Sequence, residues 1–326
     1  MPPQGQFGAD AQLVCGAVRP PAMNAPALSD APARTTDSAA AVYLCQVGRR
    51  VSCGACCGLY NVPDLARDSL QERLARRTER FAAVPRTEAA IERFRRQTEG
   101  WTPEERPFPQ FHHCPFLGLV GSEGSRVGCL LHPEAPGNQG RDWRFLSYYG
   151  DRACRSYFCP ASRILPSRYL QIICRLMRDW YSYGLIITEH RLQRALFEAL
   201  ERRLGRPLQP AEVQCPAARA HLRKLFDLKR CWPYRRPDGP GLCHFPFDNG
   251  LYTRPAVNWP SAARPAAPYR ALFQELESFF ATETEMWQAV RLVDDLVDAL
   301  ADGFNAGRRV KPGGARKRTP TSACIR

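Results

Sequence analysis

The chain has 326 residues, 44% of them hydrophobic, enough apolar material for one large core or two modest ones, which excludes disorder from end to end. Mean hydropathy is −0.40, and no run approaches the roughly 18 consecutive apolar residues that a membrane-spanning helix needs. The formal charge is +14, but Arg308, Arg309, Lys311, Arg316, Lys317, Arg318 and Arg326 carry half of it beyond the last acid, Asp302, and the remainder is too ordinary to argue for a nucleic-acid partner.

Residues 1–40 are rich in Ala and Pro, lack helical or strand periodicity, and read as a disordered leader. The first 18 residues contain no Lys or Arg, and the apolar stretch at 39–45 is short, so no secretory signal is expected. The fourteen cysteines make up about 4% of the chain, below the roughly 8–10% of a small disulfide scaffold. A reducing, cytoplasmic compartment follows.

Residues 41–165 hold seven of those cysteines between Cys53 and Cys159, amid Gly, Pro, His and aromatic residues, and read as an irregular, cysteine-rich metal-binding domain. Apolar residues at helical spacing (Leu70 and Leu74, then Ala90, Ile91 and Phe94) predict a helical insertion over 65–81 and 87–98. Residues 166–304 read as an α-helical domain. Ser167 is placed to cap a helix carrying Tyr169, Ile172, Ile173, Leu176 and Trp180, with Gly184 after it. Thr188 starts another that bears Leu192, Leu196, Leu200 and Leu204 and stops at Gly205, and a third bears Leu222, Leu225 and Phe226. A last pair carries Leu272, Leu276 and Phe279, then Met286, Val290, Val293, Val297 and Leu300. These stripes read as core, and Asp294 and Asp295 as a solvated face. Residues 305–326 form a basic flexible tail, and the fold class is mainly α.

The chemistry lies in the cysteines. Cys53, Cys56 and Cys57 sit in a CGACCG run, a glycine-lined turn that lets thiolates converge on one metal or one cluster iron. Neighbours in an extended segment point to opposite sides, so Cys57 is assigned to a second or polynuclear site. Cys114 opens CPFL, Cys129 and His132 form a C-x-x-H pair in GCLLHP, and Cys154 and Cys159 form C-x4-C. Seven cysteines and His132 supply eight ligands, the number for two closed zinc sites, or for one four-cysteine iron–sulfur cluster with ligands to spare. The scattered spacing and nearby arginines tilt the reading towards iron–sulfur. Arg155, beside Cys154, is expected to offset thiolate charge, with Arg141, Arg144 and Arg152 near it, and Tyr148, Tyr149, Tyr157 and Phe158 to shield the site.

In these four pieces, the chain resembles the YkgJ-type family of cysteine-cluster proteins, described as zinc- or iron-chelating, over a little over a third of its length. The resemblance implies metal or iron–sulfur binding. Family members often carry a further cysteine close before the CGxCC run. Here the nearest, Cys45, lies eight positions before Cys53 and is not counted as a ligand.

Cys15, Cys174, Cys215 and Cys324 read as small buried apolar residues, and Cys231 with Cys243 and His244 as too sparse for a site. His112, His113 and His190 are read as packed or solvent-facing. No Ser/His/Asp arrangement, P-loop, G-x-G-x-x-G or H-E-x-x-H motif appears. The sequence therefore leads to a protein whose partner is a metal ion, zinc or an iron–sulfur cluster, with no protein partner named and catalysis left open. An iron-dependent redox or modifying enzyme and a zinc-stapled interaction module remain as alternatives. Every counted ligand falls within 41–165, so that segment is expected to hold the metal without the helices.

Overall fold

In α1 (Arg67–Ala82), Leu70, Leu74, Arg77 and Phe81 recur at helical spacing and are buried along one side. Asp68 in its first turn and Arg80 in its last suit the helix dipole. After Pro85 comes α2 (Glu88–Glu99), whose start is held by the Thr87 hydroxyl accepting the Ala90 N–H at 3.3 Å. Phe81 meets Phe94 edge to face at 5.0 Å, and both rings pack on Phe116. The predicted insertion is thus two helices, displaced by only one or two residues. The computed structural model describes residues 44–99, 106–108, 113–147, 149–150, 154–155, 157, 159–214, 216–239, 254–260 and 269–309. The leader at 1–40, Cys15, His112, Tyr148, Arg152, Phe158, Cys215, Cys243, His244, Cys324 and the tail past Arg309 lie outside these residues.

A hairpin not anticipated from the sequence separates Cys114 from the ligands that follow. β1 (Leu117–Val120) and β2 (Arg126–Cys129) pair antiparallel, with Leu117 opposite Cys129 and Val120 opposite Arg126. α1 lies along β1, where the Thr78 hydroxyl accepts the Leu119 N–H at 2.7 Å and donates to the Leu119 carbonyl at 3.2 Å.

The second half is helical: α3 (Ala161–Ile164), α4 (Ser167–Leu176), α5 (Trp180–Ile187), α6 (His190–Leu204), α7 (Pro216–Cys231), α8 (Arg270–Glu275) and α9 (Glu283–Arg309). With nine α-helices and one two-stranded sheet among the described residues, the protein is mainly α. None of these helices is long and apolar enough to cross a membrane.

Several details differ from expectation. Pro166, not Ser167, holds the N-cap of α4, and the Ser167 hydroxyl instead accepts from Gln171 Nε2 at 3.1 Å. The helix breaks at Met177, and Asp179 caps a new one by accepting the Ser182 N–H at 2.9 Å, so Trp180 opens α5 rather than closing α4. Gly184 falls inside α5, where a Cβ would stand 2.3 Å from the Tyr60 hydroxyl, and only glycine admits that approach. α6 starts at His190, after a buried Thr188, and stops at Gly205 as predicted. α8 ends before Phe279, which is 37% exposed, and Phe280 takes the buried place. α9 buries Met286, Val293, Val297 and Leu300 and continues through Arg309 into the segment read as tail.

The described residues form one contact unit with two hydrophobic cores. One gathers α1, α2 and the hairpin. In the other, Tyr169 of α4 stacks on Phe197 of α6, and α9 packs against α6 and α7. α5 belongs to both: Trp180, Tyr181 and Leu185 enter the first, and Tyr183, Ile186 and Ile187 the second.

Candidate metal centre

The CGACCG run folds into a single 3-10 turn, Ala55–Cys57, with the Cys57 N–H on the Gly54 carbonyl at 3.0 Å. Gly58 closes it at φ 78°, a left-handed conformation that suits glycine. The run is a turn and not an extended segment, and Cys57 stands as hydrogen-bond donor to Cys56. That bond holds the Cys56 pKa below the usual thiol value, while Cys57 is raised first by the same bond and then by burial.

Around this pair the thiols form two groups joined by Cys56, whose charge acts on Cys57 and Cys154 as well as on Cys53 and Cys159. Cys45, Cys53, Cys56 and Cys159 line a cavity of about 20 Å³ together with Tyr157 and Thr188. Cys45 reaches it because a Gln46–Ser52 bridge closes the intervening loop and the Cys53 N–H bonds the Cys45 carbonyl at 2.9 Å. Val47 and Val51, flanking Gly48, Arg49 and Arg50, are the signal in the sequence that could have revealed this turn-back.

In the second group, the charges of Cys114 and Cys129 act on Cys57, those of Cys129 and Cys154 on Cys114, and that of Cys154 on Cys129. The Cys114 N–H bonds the Cys57 carbonyl at 2.8 Å, and the hairpin returns Cys129 beside the CPFL turn. Buried Arg77 of α1 fixes that turn, donating to the Cys114 carbonyl at 3.1 Å and the Leu117 carbonyl at 2.9 Å. Desolvation lowers its pKa to about 10.

One local pattern recurs. The backbone N–H two residues beyond Cys53, Cys114, Cys129 and Cys159, from Ala55, Phe116, Leu131 and Ala161, is directed at the sulfur. These donors favour thiolate, but burial wins: Cys53 and Cys114 are pushed well up, and Cys129 and Cys159 to about 12. Burial also raises Cys154, opposed by the Ser147 hydroxyl 2.8 Å from its sulfur. An incoming cation would therefore displace protons. The thiols converge without being drawn in. As they stand, no three His, Cys, Asp or Glu side chains among the described residues are close enough to hold a metal ion.

His132 joins neither group. Its Nδ1 accepts the Glu134 N–H at 3.2 Å, and its pKa is lowered by burial and by Arg144 rather than altered by a thiolate. Only its backbone N–H serves the cysteines, as a second donor to Cys129. The arginines near the second group divide their partners. Arg155 pairs with Asp142 at 2.9 Å, Arg141 lies over the Trp143 ring, and Arg144 is the cation whose charge acts on Cys129 and Cys154. Asp142, held well below the usual carboxylate range chiefly by its bond from Arg144, anchors both arginines.

Outside the groups, Cys174 sits 3.7 Å from the Tyr183 hydroxyl, Cys231 is exposed at the end of α7, and His113 packs with Nδ1 2.8 Å from the Gly58 carbonyl. A larger cavity, about 570 Å³, is lined by Ala256, Val257, Trp259, Arg270, Ala271 and Gln274 and by no cysteine. Comparison with protein-family models, curated proteins and solved structures finds no match to this chain.

Proposed function

We propose that this protein holds zinc or an iron–sulfur centre through the cysteines between its N-terminal core and the helical layer. The repeated N–H donor two residues past Cys53, Cys114, Cys129 and Cys159 carries the reading, since it points at each sulfur and favours, against burial, the thiolate that binds metal. An all-sulfur donor set suits soft metals and iron–sulfur centres over magnesium or calcium. The motif resemblance supports the same assignment. A bound cation supplies the charge that makes several buried thiolates tolerable together, and the chain contributes ligands, N–H donors and the Arg144 guanidinium. Metal and acid-labile sulfide analysis of protein purified without air tests the reading. Stoichiometric zinc, or iron and sulfide together with visible colour, is expected, and protein free of both after reconstitution would overturn it.

A further inference from the structure

We infer that Arg175, Arg178, Arg219 and Arg223, gathered where the end of α4 meets α7, form a surface site for a compact polyphosphate group, the kind carried by inorganic tripolyphosphate or by a nucleoside triphosphate. The site shares no residue with the cysteines and does not depend on the metal-holding reading.

α7 carries Arg219 and Arg223 one turn apart, so both lie on the same side of the helix. The Arg223 guanidinium crosses to α4 and donates to the Leu176 carbonyl at 3.3 Å, one of the carbonyls that a helix end leaves open. Arg178 follows Leu176 by two positions. Arg175 precedes it and donates to the Pro210 carbonyl at 3.4 Å, in the 3-10 turn Pro210–Gln214 that leads into α7. Among the described residues, none of these four arginines is ion-paired with a carboxylate. Asp227, the one acid of α7, is engaged by Arg230 at 3.0 Å, and Asp179 caps α5. Desolvation and the charges of Arg178 and Arg219 lower the Arg223 pKa, against the pull of Asp227. Crowded like charges cost the folded chain stability, and an anion that answers several of them at once removes that cost. Arg175 and Arg178 are exposed, while Arg219 and Arg223 are half-buried. Guanidinium forks match phosphate oxygens, and a chain of phosphates supplies several such partners on one ligand. The large apolar side chains exposed among the described residues are Tyr149, Ile164, Phe279 and Trp287, none of them on α4 or α7. A nucleobase therefore finds no stacking platform here, and the phosphates are what the site recognises.

The test titrates the full chain with inorganic tripolyphosphate by calorimetry, with sulfate at matched ionic strength as the comparison. Saturable binding of tripolyphosphate and not of sulfate is expected. Arg178→Gln combined with Arg219→Gln should weaken it about tenfold or more, the worth of one charge-assisted hydrogen bond. The same pair should raise the thermal midpoint of the ligand-free protein, because repulsion on Arg223 is relieved, and a rise also shows that the variant folds. Arg163→Gln combined with Arg291→Gln removes the same charge from exposed positions on α3 and α9 and should leave the affinity unchanged. Chelation of any bound metal by the ligand is common to all variants and cancels in the comparison. Equal affinity for sulfate, an equal loss in the two double variants, or a lowered midpoint in Arg178→Gln with Arg219→Gln would overturn the site. A nucleoside triphosphate should bind no more tightly than tripolyphosphate. Much tighter binding of the nucleotide would overturn recognition through the phosphates alone.

Discussion

Lys229 Nζ lies 2.6 Å from a carboxylate oxygen of Glu189, and neither side chain reaches solvent appreciably. Glu189 is the N-cap residue of α6 and also binds Arg254, which reaches on to Glu275 at 2.7 Å and Glu277 at 2.8 Å. Through this network, residues 254–257 are tied to α6, α7 and α8. Lys229→Met removes one partner from buried charge, and a stability loss of about 3–5 kcal/mol is expected in urea denaturation. A shift of only a few tenths would mean that Arg254 alone neutralises Glu189.

Arg144 and Arg155 separate two roles that the sequence did not distinguish. Arg144→Gln should slow alkylation of Cys154 in the metal-free protein by no more than roughly tenfold, the equivalent of one pKa unit, because a cation favouring its thiolate is gone. Arg155→Gln should slow it less, since Arg155 is paired with Asp142 while the Arg144 charge acts on Cys154 directly. Equal slowing in both variants would contradict the assignment.

The metal-free protein should lose stability in alkali. Cys129 and Cys159 have folded pKa values pushed up to about 12, above the roughly 8.5 of a thiol in the unfolded chain. Stability from these buried neutral thiols is therefore complete below about pH 8.5 and drains away as pH climbs from there towards 12. Metal-loaded protein should behave oppositely at the acid end, releasing its ion as protons compete for sulfur. Denaturation midpoints from about pH 4 to about pH 10.5 under reductant, with and without zinc, give both slopes.

Gly184→Ala places a methyl where the Tyr60 hydroxyl now stands, bonded to the Tyr181 carbonyl at 3.0 Å. A cost of roughly 1–3 kcal/mol is expected from displacing that ring. Gly184→Ala combined with Tyr60→Phe should recover part of it, and a double-mutant cycle with no recovery would place the strain elsewhere.

Much of the fold was legible because long helices write their period into the sequence. Leu70, Leu74 and Phe81, or Leu192, Leu196 and Leu200, fix which side is buried whatever packs on it. The hairpin was not, because all four residues of β1 are buried and a strand covered on both faces shows no alternation. The break at Met177 was missed since the apolar period runs from Leu176 into Trp180 without a glycine or proline to mark it. At the candidate site, the seven sulfurs that gather around the CGACCG turn could be found from their motifs. Cys45 could not, because its approach depends on a loop that folds back on itself, and the choice of Arg144 over Arg155 depends on where Asp142 stands.

α5 has a consequence for the order in which the chain acquires structure. During synthesis, every residue of the hairpin and of α1 and α2 leaves the ribosome before Trp180, Tyr181 and Leu185, yet the core they build is filled by those three side chains. The first core therefore lacks three of its buried side chains until about residue 187 has been made, and the same short helix seats its opposite face among residues made later still. Completion of the first core and the start of the second thus fall on one helix.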